Sequence, residues 1–205
     1  AYREALWARR DSPGNNSPVG DQGLAVVSRV WPAPAKINWF LQVTGKREDG
    51  YHDLQTVFQF LDYGDAMTFD LRDDGMIARS YDFGFDESVD LCLRAAQQLK
   101  SRARNKQLGV TIGLDKKIPI GGGLGGGSSN AATTLIALNH LWELKLDRTQ
   151  LAELALELGA DLPIFIYGKS AWAEGIGEQL SAISLSEPWY LVISPAVQVS
   201  TRQIF

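Results

Sequence analysis

Six of the seven residues from 121 to 127 are glycine, within the run Pro119-Ile-Gly-Gly-Gly-Leu-Gly-Gly-Gly-Ser-Ser-Asn130. Glycine loses the most conformational freedom on ordering, so such a run cannot be the interior of a strand or a helix. It makes sense where bare backbone must come close to a ligand. Directly downstream, Ala131, Ala132, Leu135, Leu138, Leu141 and Trp142 recur at steps of three and four, which predicts a helix with an apolar stripe turned to a core. A helix start adds unpaired N–H groups and the positive end of the helix dipole. Ser128 and Ser129 add hydroxyls able to cap that helix or to reach a phosphate or its Mg²⁺. The combination reads as a phosphate cradle. The plain alternative is a flexible linker, but a strand-like segment (residues 110–114) precedes the run closely and a strongly periodic helix follows it.

The run does not fit the commoner phosphate loops. A Walker A loop places Gly-Lys-Ser/Thr at its end, and no lysine stands there. Gly121, Gly123 and Gly126 satisfy the dinucleotide spacing, which is a weak signal among so many glycines. That fingerprint follows its strand directly, whereas Asp115-Lys-Lys-Ile-Pro119 intervenes here and Pro119 cannot extend a central strand.

The remaining chain is that of an ordinary globular protein. Its 205 residues are 45% hydrophobic and 21% charged, enough to bury a core. A net charge of −4 and a pI near 5.2 argue against a nucleic-acid or anionic membrane surface. Cys92 stands alone between Leu91 and Leu93 and reads as a buried thiol; one cysteine and two histidines leave little for a zinc site. No apolar stretch approaches the length of a membrane helix and no secretory signal is visible, which leaves the cytoplasm as the default compartment.

Residues 1–30 read as a short basic, helical piece (residues 2–10) and a polar Gly/Pro/Asn linker without assigned function. Strands are expected over residues 35–43, 57–71, 110–114, 170–174 and 189–194, the first two joined in a hairpin through Asp49-Gly50. Residues 91–99 have helical spacing. A further helix starts after Asp147, with Gln150 in capping-box position, buries Leu151, Leu154, Ala155 and Leu158, and ends at Gly159 ahead of Pro163. The fold class is α+β.

The glycine run resembles the second motif of the GHMP kinases, in the expanded form of those that act on cytidine-diphosphate methylerythritol. Other segments carry the same resemblance in family order: Pro34-Ala-Lys-Ile-Asn38 with Trp39-Phe-Leu41, Arg47-x-Asp-Gly-Tyr-His52, Leu158-Gly-Ala-Asp-Leu-Pro-Ile-Phe165, and Ala173-Glu-Gly-Ile-Gly-Glu178. Together they cover nearly everything from Trp31 to Phe205. The resemblance implies a GHMP kinase N-terminal domain (ribosomal S5 domain 2-like) over residues 31–185 and the start of the family's C-terminal domain over 186–205. It implies ATP and Mg²⁺ as cofactors, and phosphoryl transfer to a small-molecule alcohol.

By the same resemblance, Pro119, Ile120, Gly121, Gly122, Gly123, Leu124, Gly125, Gly126, Gly127, Ser128 and Ser129 hold the nucleotide phosphates. Asp161 is the candidate base, although an aspartate just past a helix end is also a common turn residue. Lys36 is implied to bond the acceptor hydroxyl and the aspartate; an ammonium there would hold Asp161 ionised and stabilise an emerging alkoxide. Asn38 lies two residues from Lys36, so on a strand both side chains share a face, and it is assigned to substrate. Tyr51 is implied to stack on cytosine, His52 to bond the base edge, and Phe205 to close the stack from the other side. His140 reads as structural.

Two departures from the family pattern stand out. Asp90-Leu91 occupies a usual Asn-Leu position, which exchanges an amide for a charge and is expected to weaken nucleotide binding. The family's third glycine-rich motif and C-terminal domain do not follow, so weak or absent activity is expected of these 205 residues by themselves. Rival readings are a GHMP kinase of homoserine or mevalonate type, an RNA-associated module of the same fold, and an ATP-binding fragment without transfer.

Overall fold

The computed structural model describes residues 29–193. The expected helix over residues 2–10, nearly all of the linker that follows it, and Phe205 lie outside that range.

Two long strands organise the fold. β1 (Trp31–Lys46) and β2 (His52–Arg72) form an antiparallel hairpin. Its turn closes where Arg47 N–H donates to Tyr51 O at 2.9 Å, and Gly50 takes φ 87°, a conformation that favours glycine. β2 pairs with β1 along one edge. Its other edge carries two shorter strands in succession, β5 (Ala171–Glu174) against Thr56–Phe58 and β4 (Gly109–Asp115) against Ala66–Arg72. β3 (Ile77–Arg79) joins β4 in parallel and β6 (Gln179–Ala182) joins β5 antiparallel, giving the order β3-β4-β2-β5-β6 with β1 on the free edge of β2.

Four helices accompany the sheet among the described residues: α1 (Leu91–Arg102), α2 (Gly126–Leu141), α3 (Arg148–Leu158) and the short α4 (Pro163–Tyr167). α2 is central and touches α1, α3, α4 and both hairpin strands. The expected apolar stripe is therefore a correction: every residue from 129 to 139 is buried, not one face of them. Two of the buried polar ones are paired locally. Thr134 Oγ1 donates to Asn130 O at 2.9 Å, and Asn139 exchanges two bonds with the backbone of Leu146. Leu135 and Leu138 are fully buried, about 2 kcal/mol each in removed apolar surface.

The capping box of α3 forms as read, Asp147 accepting from Gln150 N–H while Gln150 Oε1 accepts from Asp147 N–H. Pro163 does more than bar continuation. It occupies the first turn of α4, where its missing N–H has no partner to lose. A second correction concerns residues 189–193, expected as a strand. They run irregularly, with Trp189 and Leu191 almost wholly exposed, and Ser194 lies outside the described residues. An apolar run makes a strand only beside a neighbour, and the free side of β5 is taken by β6, a short segment without a sequence signature.

Candidate active site

The glycine run divides. Gly126, Gly127, Ser128 and Ser129 form the first turn of α2, and only residues 119–125 form the loop. Gly121, Gly123 and Gly125 take φ between 71° and 75°, which explains glycine at those three. Lys36 N–H donates to Leu124 O at 3.0 Å, so the loop is bonded to β1, and Leu124 is buried. Pro119, Ile120 and Gly122 are exposed, with Gly122 N–H turned back on Pro119 O at 3.3 Å. The N-cap of α2 is Gly125, which brings no side chain to the first-turn N–H groups. Those donors and the helix dipole are left for an anion.

Lys36 is 5% exposed on β1, not the solvated lysine that an isolated strand position suggests. Its Nζ donates to Asn38 Oδ1 at 2.7 Å, stands 3.5 Å from Asp161 Oδ2, and lies 5.1 Å from the centre of the Phe58 ring. Asn38 Nδ2 donates to Thr56 Oγ1 at 2.8 Å, and Thr56 donates to Phe40 O at 2.5 Å. The chain of bonds orients Asn38 with its oxygen on the ammonium. Asp161 follows α3 and precedes α4; its carboxylate is half exposed, less enclosed than the apolar residues around it in sequence suggest. A Cβ on Gly125 would lie 3.0 Å from Lys36 Cε. The lysine stem therefore underlies the start of α2, and the N-terminal end of the helix adjoins the lysine–aspartate pair.

Tyr51 and His52 stand at the far end of the hairpin, Tyr51 exposed and His52 opening β2 opposite Lys46. Lys36 pairs with Phe60, eight residues further along β2, a span of at most about 26 Å at strand rise. The turn beside Tyr51 is held by Arg47, whose guanidinium, together with Tyr51 N–H, keeps the Asp49 carboxyl below the usual carboxylate range. A concavity of about 690 Å³ is walled by Phe60, Tyr63, Leu124, Phe165, Lys169 and Tyr190 among others. Neither Lys36 nor Asp161 lines it.

Asp90 has both oxygens engaged inside the protein. Oδ1 accepts from Cys92 and Leu93 N–H as the N-cap of α1, and Oδ2 accepts from Arg79 Nη1 at 3.1 Å and Tyr81 OH at 2.9 Å. The extra charge foreseen at this position is spent on Arg79. Burial, then the charge of Asp90, pushes the Cys92 thiol up to about 12 and raises the Tyr81 phenol.

Sequence reasoning missed two supports of this site. Thr56 has no signature of its own, but the hairpin register that sets it near Asn38 was readable in principle. Asp65 has none: it is a buried strand residue whose partners come from both ends of the glycine run.

Residues 90–169 match the family described as GHMP kinases N terminal domain. The chain is 58% identical over 177 residues to a 4-diphosphocytidyl-2-C-methyl-D-erythritol kinase of Nitrosococcus oceani, covering 86% of this chain and 63% of the relative. A Nitrosomonas europaea protein of the same name is 56% identical over 177 residues, covering 86% and 64%. Among solved structures, a 4-(cytidine 5'-diphospho)-2C-methyl-D-erythritol kinase superposes with TM-score 0.67 at 40% identity, over 77% of this chain and 56% of that one. The Methanococcus jannaschii mevalonate kinase shares the fold alone, at TM-score 0.57 and 16% identity. The chain spans somewhat under two thirds of the length of these curated relatives. With its α+β sheet, its glycine loop opening a buried helix and this likeness, the chain carries a GHMP kinase N-terminal domain.

Proposed function

We propose that this chain supplies the phosphate cradle and the acceptor-activating pair of a kinase that transfers the ATP γ-phosphoryl group to the 2-hydroxyl of 4-diphosphocytidyl-2-C-methyl-D-erythritol. That reaction belongs to the non-mevalonate route to isoprenoid precursors. The reading rests above all on one observation: Lys36 reaches Asp161 at 3.5 Å while its stem packs against Gly125 at the start of α2. An acceptor oxygen beside that pair is also beside the end of a helix suited to a triphosphate.

Phosphoryl transfer depends on positioning and charge compensation more than on covalent chemistry. The acceptor O–H loses its proton to an Asp161 oxygen as its oxygen bonds to the γ-phosphorus, and the bond to the ADP oxygen breaks on the opposite side. The Lys36 ammonium, held in place by Asn38 and 3.5 Å from the carboxylate, offsets the charge that develops on the acceptor oxygen. First-turn N–H groups of α2 and the loop backbone bind phosphate oxygens. Magnesium carried with ATP would supply charge neutralisation there. Ser129 Oγ is buried without a hydrogen-bond partner among the described residues, a donor set that suits a phosphate or its cation.

The separation of Tyr51 and His52 from Lys36 along the hairpin calls for an elongated substrate, aromatic at one end and an alcohol at the other. A cytidine-diphosphate sugar alcohol has that shape. The test is ADP release with ATP, Mg²⁺ and 4-diphosphocytidyl-2-C-methyl-D-erythritol, measured on the 205-residue chain and on a form extended to the length of its relatives. Release by the extended form that Asp161→Asn abolishes is the expected result. Equal release by Asp161→Asn, or release indifferent to the cytidine compound, overturns the reading.

A further inference from the structure

The two ends of the glycine loop meet on a single buried carboxylate. Asp65 lies on β2, opposite Ala33 of β1, and its side chain is shut off from solvent. Its Oδ1 accepts from the backbone N–H groups of Lys117 at 2.7 Å and Ile118 at 2.8 Å, immediately before the loop. Its Oδ2 accepts from Lys116 Nζ at 2.5 Å and from Asn130 Nδ2 at 2.9 Å, the latter one residue beyond Ser129 in α2. Four donors from both flanks of residues 119–129 thus converge on one group. Lys116 is held over the first residue of α2 in consequence: a Cβ on Gly126 would lie 2.8 Å from its Nζ.

We infer that Asp65 is a positioning residue for nucleotide binding, a staple that fixes the separation of the loop's two ends so that its N–H groups are ordered before a triphosphate arrives. The inference rests on reading the loop as the triphosphate cradle. A loop with four glycines in seven residues has little of its own to order it, and it runs between different elements, β4 and α2. Without the staple, ordering entropy is charged to ligand binding. The chemistry of the contact is also selective. An amide at position 65 keeps an oxygen for the two backbone donors but turns an NH₂ toward Lys116 and Asn130, donor against donor.

Titration of Mg²⁺-ATP into the folded chain by calorimetry tests this, alongside melting temperature. Asp65→Asn should weaken ATP binding roughly tenfold or more, the loss expected for a charged hydrogen bond. The exchange Asp65→Asn with Asn130→Asp returns a carboxylate to Lys116 and reverses one amide bond, and should recover most of the affinity. Asn130→Ala removes one donor and should weaken binding severalfold, which serves if Asp65→Asn does not fold. Asp147→Ala, which breaks the capping box of α3, should lower the melting temperature without changing ATP affinity. A folded Asp65→Asn or Asn130→Ala that binds ATP like the wild type overturns the staple while leaving the cradle reading intact. A wild-type chain that binds no ATP overturns both.

Discussion

A methyl group on Gly125 would come to rest 2.8 Å from Phe165 Cζ. That contact, between the last residue of the glycine loop and the middle of α4, joins the segment that carries Asp161 to the segment assigned to phosphate. Gly125 also takes φ 71°, where a side chain costs about 1–2 kcal/mol before any clash. Gly125→Ala is therefore expected to displace Phe165 or Lys36 and to weaken ATP binding by an order of magnitude or more. Gly122→Ala, whose φ is not left-handed and whose position is exposed, should bind nearly as the wild type; calorimetry on the pair reads the difference.

Asp161→Asn should leave the fold almost untouched, because the carboxylate is half exposed and its one ion pair among the described residues is with Lys36. Phosphoryl transfer in the extended form should fall by about 10²–10⁴, the usual share of a general base. Lys36→Met should cut transfer as deeply and also lower stability, since the buried ammonium holds Asn38 and stacks over Phe58. Comparing turnover with melting temperature for both variants separates the two roles.

Asp90→Asn is expected not to tighten ATP binding, contrary to what the departure from the family pattern suggests. The amide still caps α1 but leaves Arg79 without its closest carboxylate, so the melting temperature should fall. Asp90→Ala loses the cap as well, a further cost of about 1 kcal/mol. An Asp90→Asn protein of unchanged melting temperature and tighter ATP binding would sink this account.

Cys92 sets an alkaline limit. Burial pushes its thiol up to about 12, from the 9.0 of a free cysteine side chain. Between those values the unfolded chain releases a proton that the folded chain retains, so stability is full below about pH 9 and falls by about 1.4 kcal/mol per pH unit up to about 12. Tyr81 is shifted in the same direction and adds to the fall. Cys92→Ser should flatten the slope in urea midpoints measured from pH 8 to 11, and the native thiol should resist alkylation until the protein unfolds.

Much of the site was legible because its residues are local in sequence or break a local rule. Glycines that would ruin a helix announced the loop, and the capping box of α3 was readable because Asp147 and Gln150 stand three apart. Lys36 and Asp161 could be paired only through family likeness, since nothing in either segment encodes their meeting. Asp65 and Thr56 stayed hidden for a related reason. Each is an unremarkable strand residue until the sheet brings together segments tens of residues apart. The N-cap role of Asp90 stayed hidden because an N-cap aspartate and a ligand-facing amide look alike without the buried guanidinium of Arg79. Residues 189–193 are the continuous apolar run of a buried strand but have no strand neighbour to bond.

The length of β2 also sets an order of assembly. Its pairing with β1 is local and can close once the first strands are free to meet, whereas Val57 must wait for Trp172 of β5. Contacts so distant in sequence form slowly. A growing chain therefore presents Lys36, Asn38 and Thr56 long before Asp161, and β2 passes through a stage with one edge open where β5 will lie. Refolding should be slowest in that corner, and amides of residues 56–58 should gain protection from hydrogen exchange after those of residues 110–114.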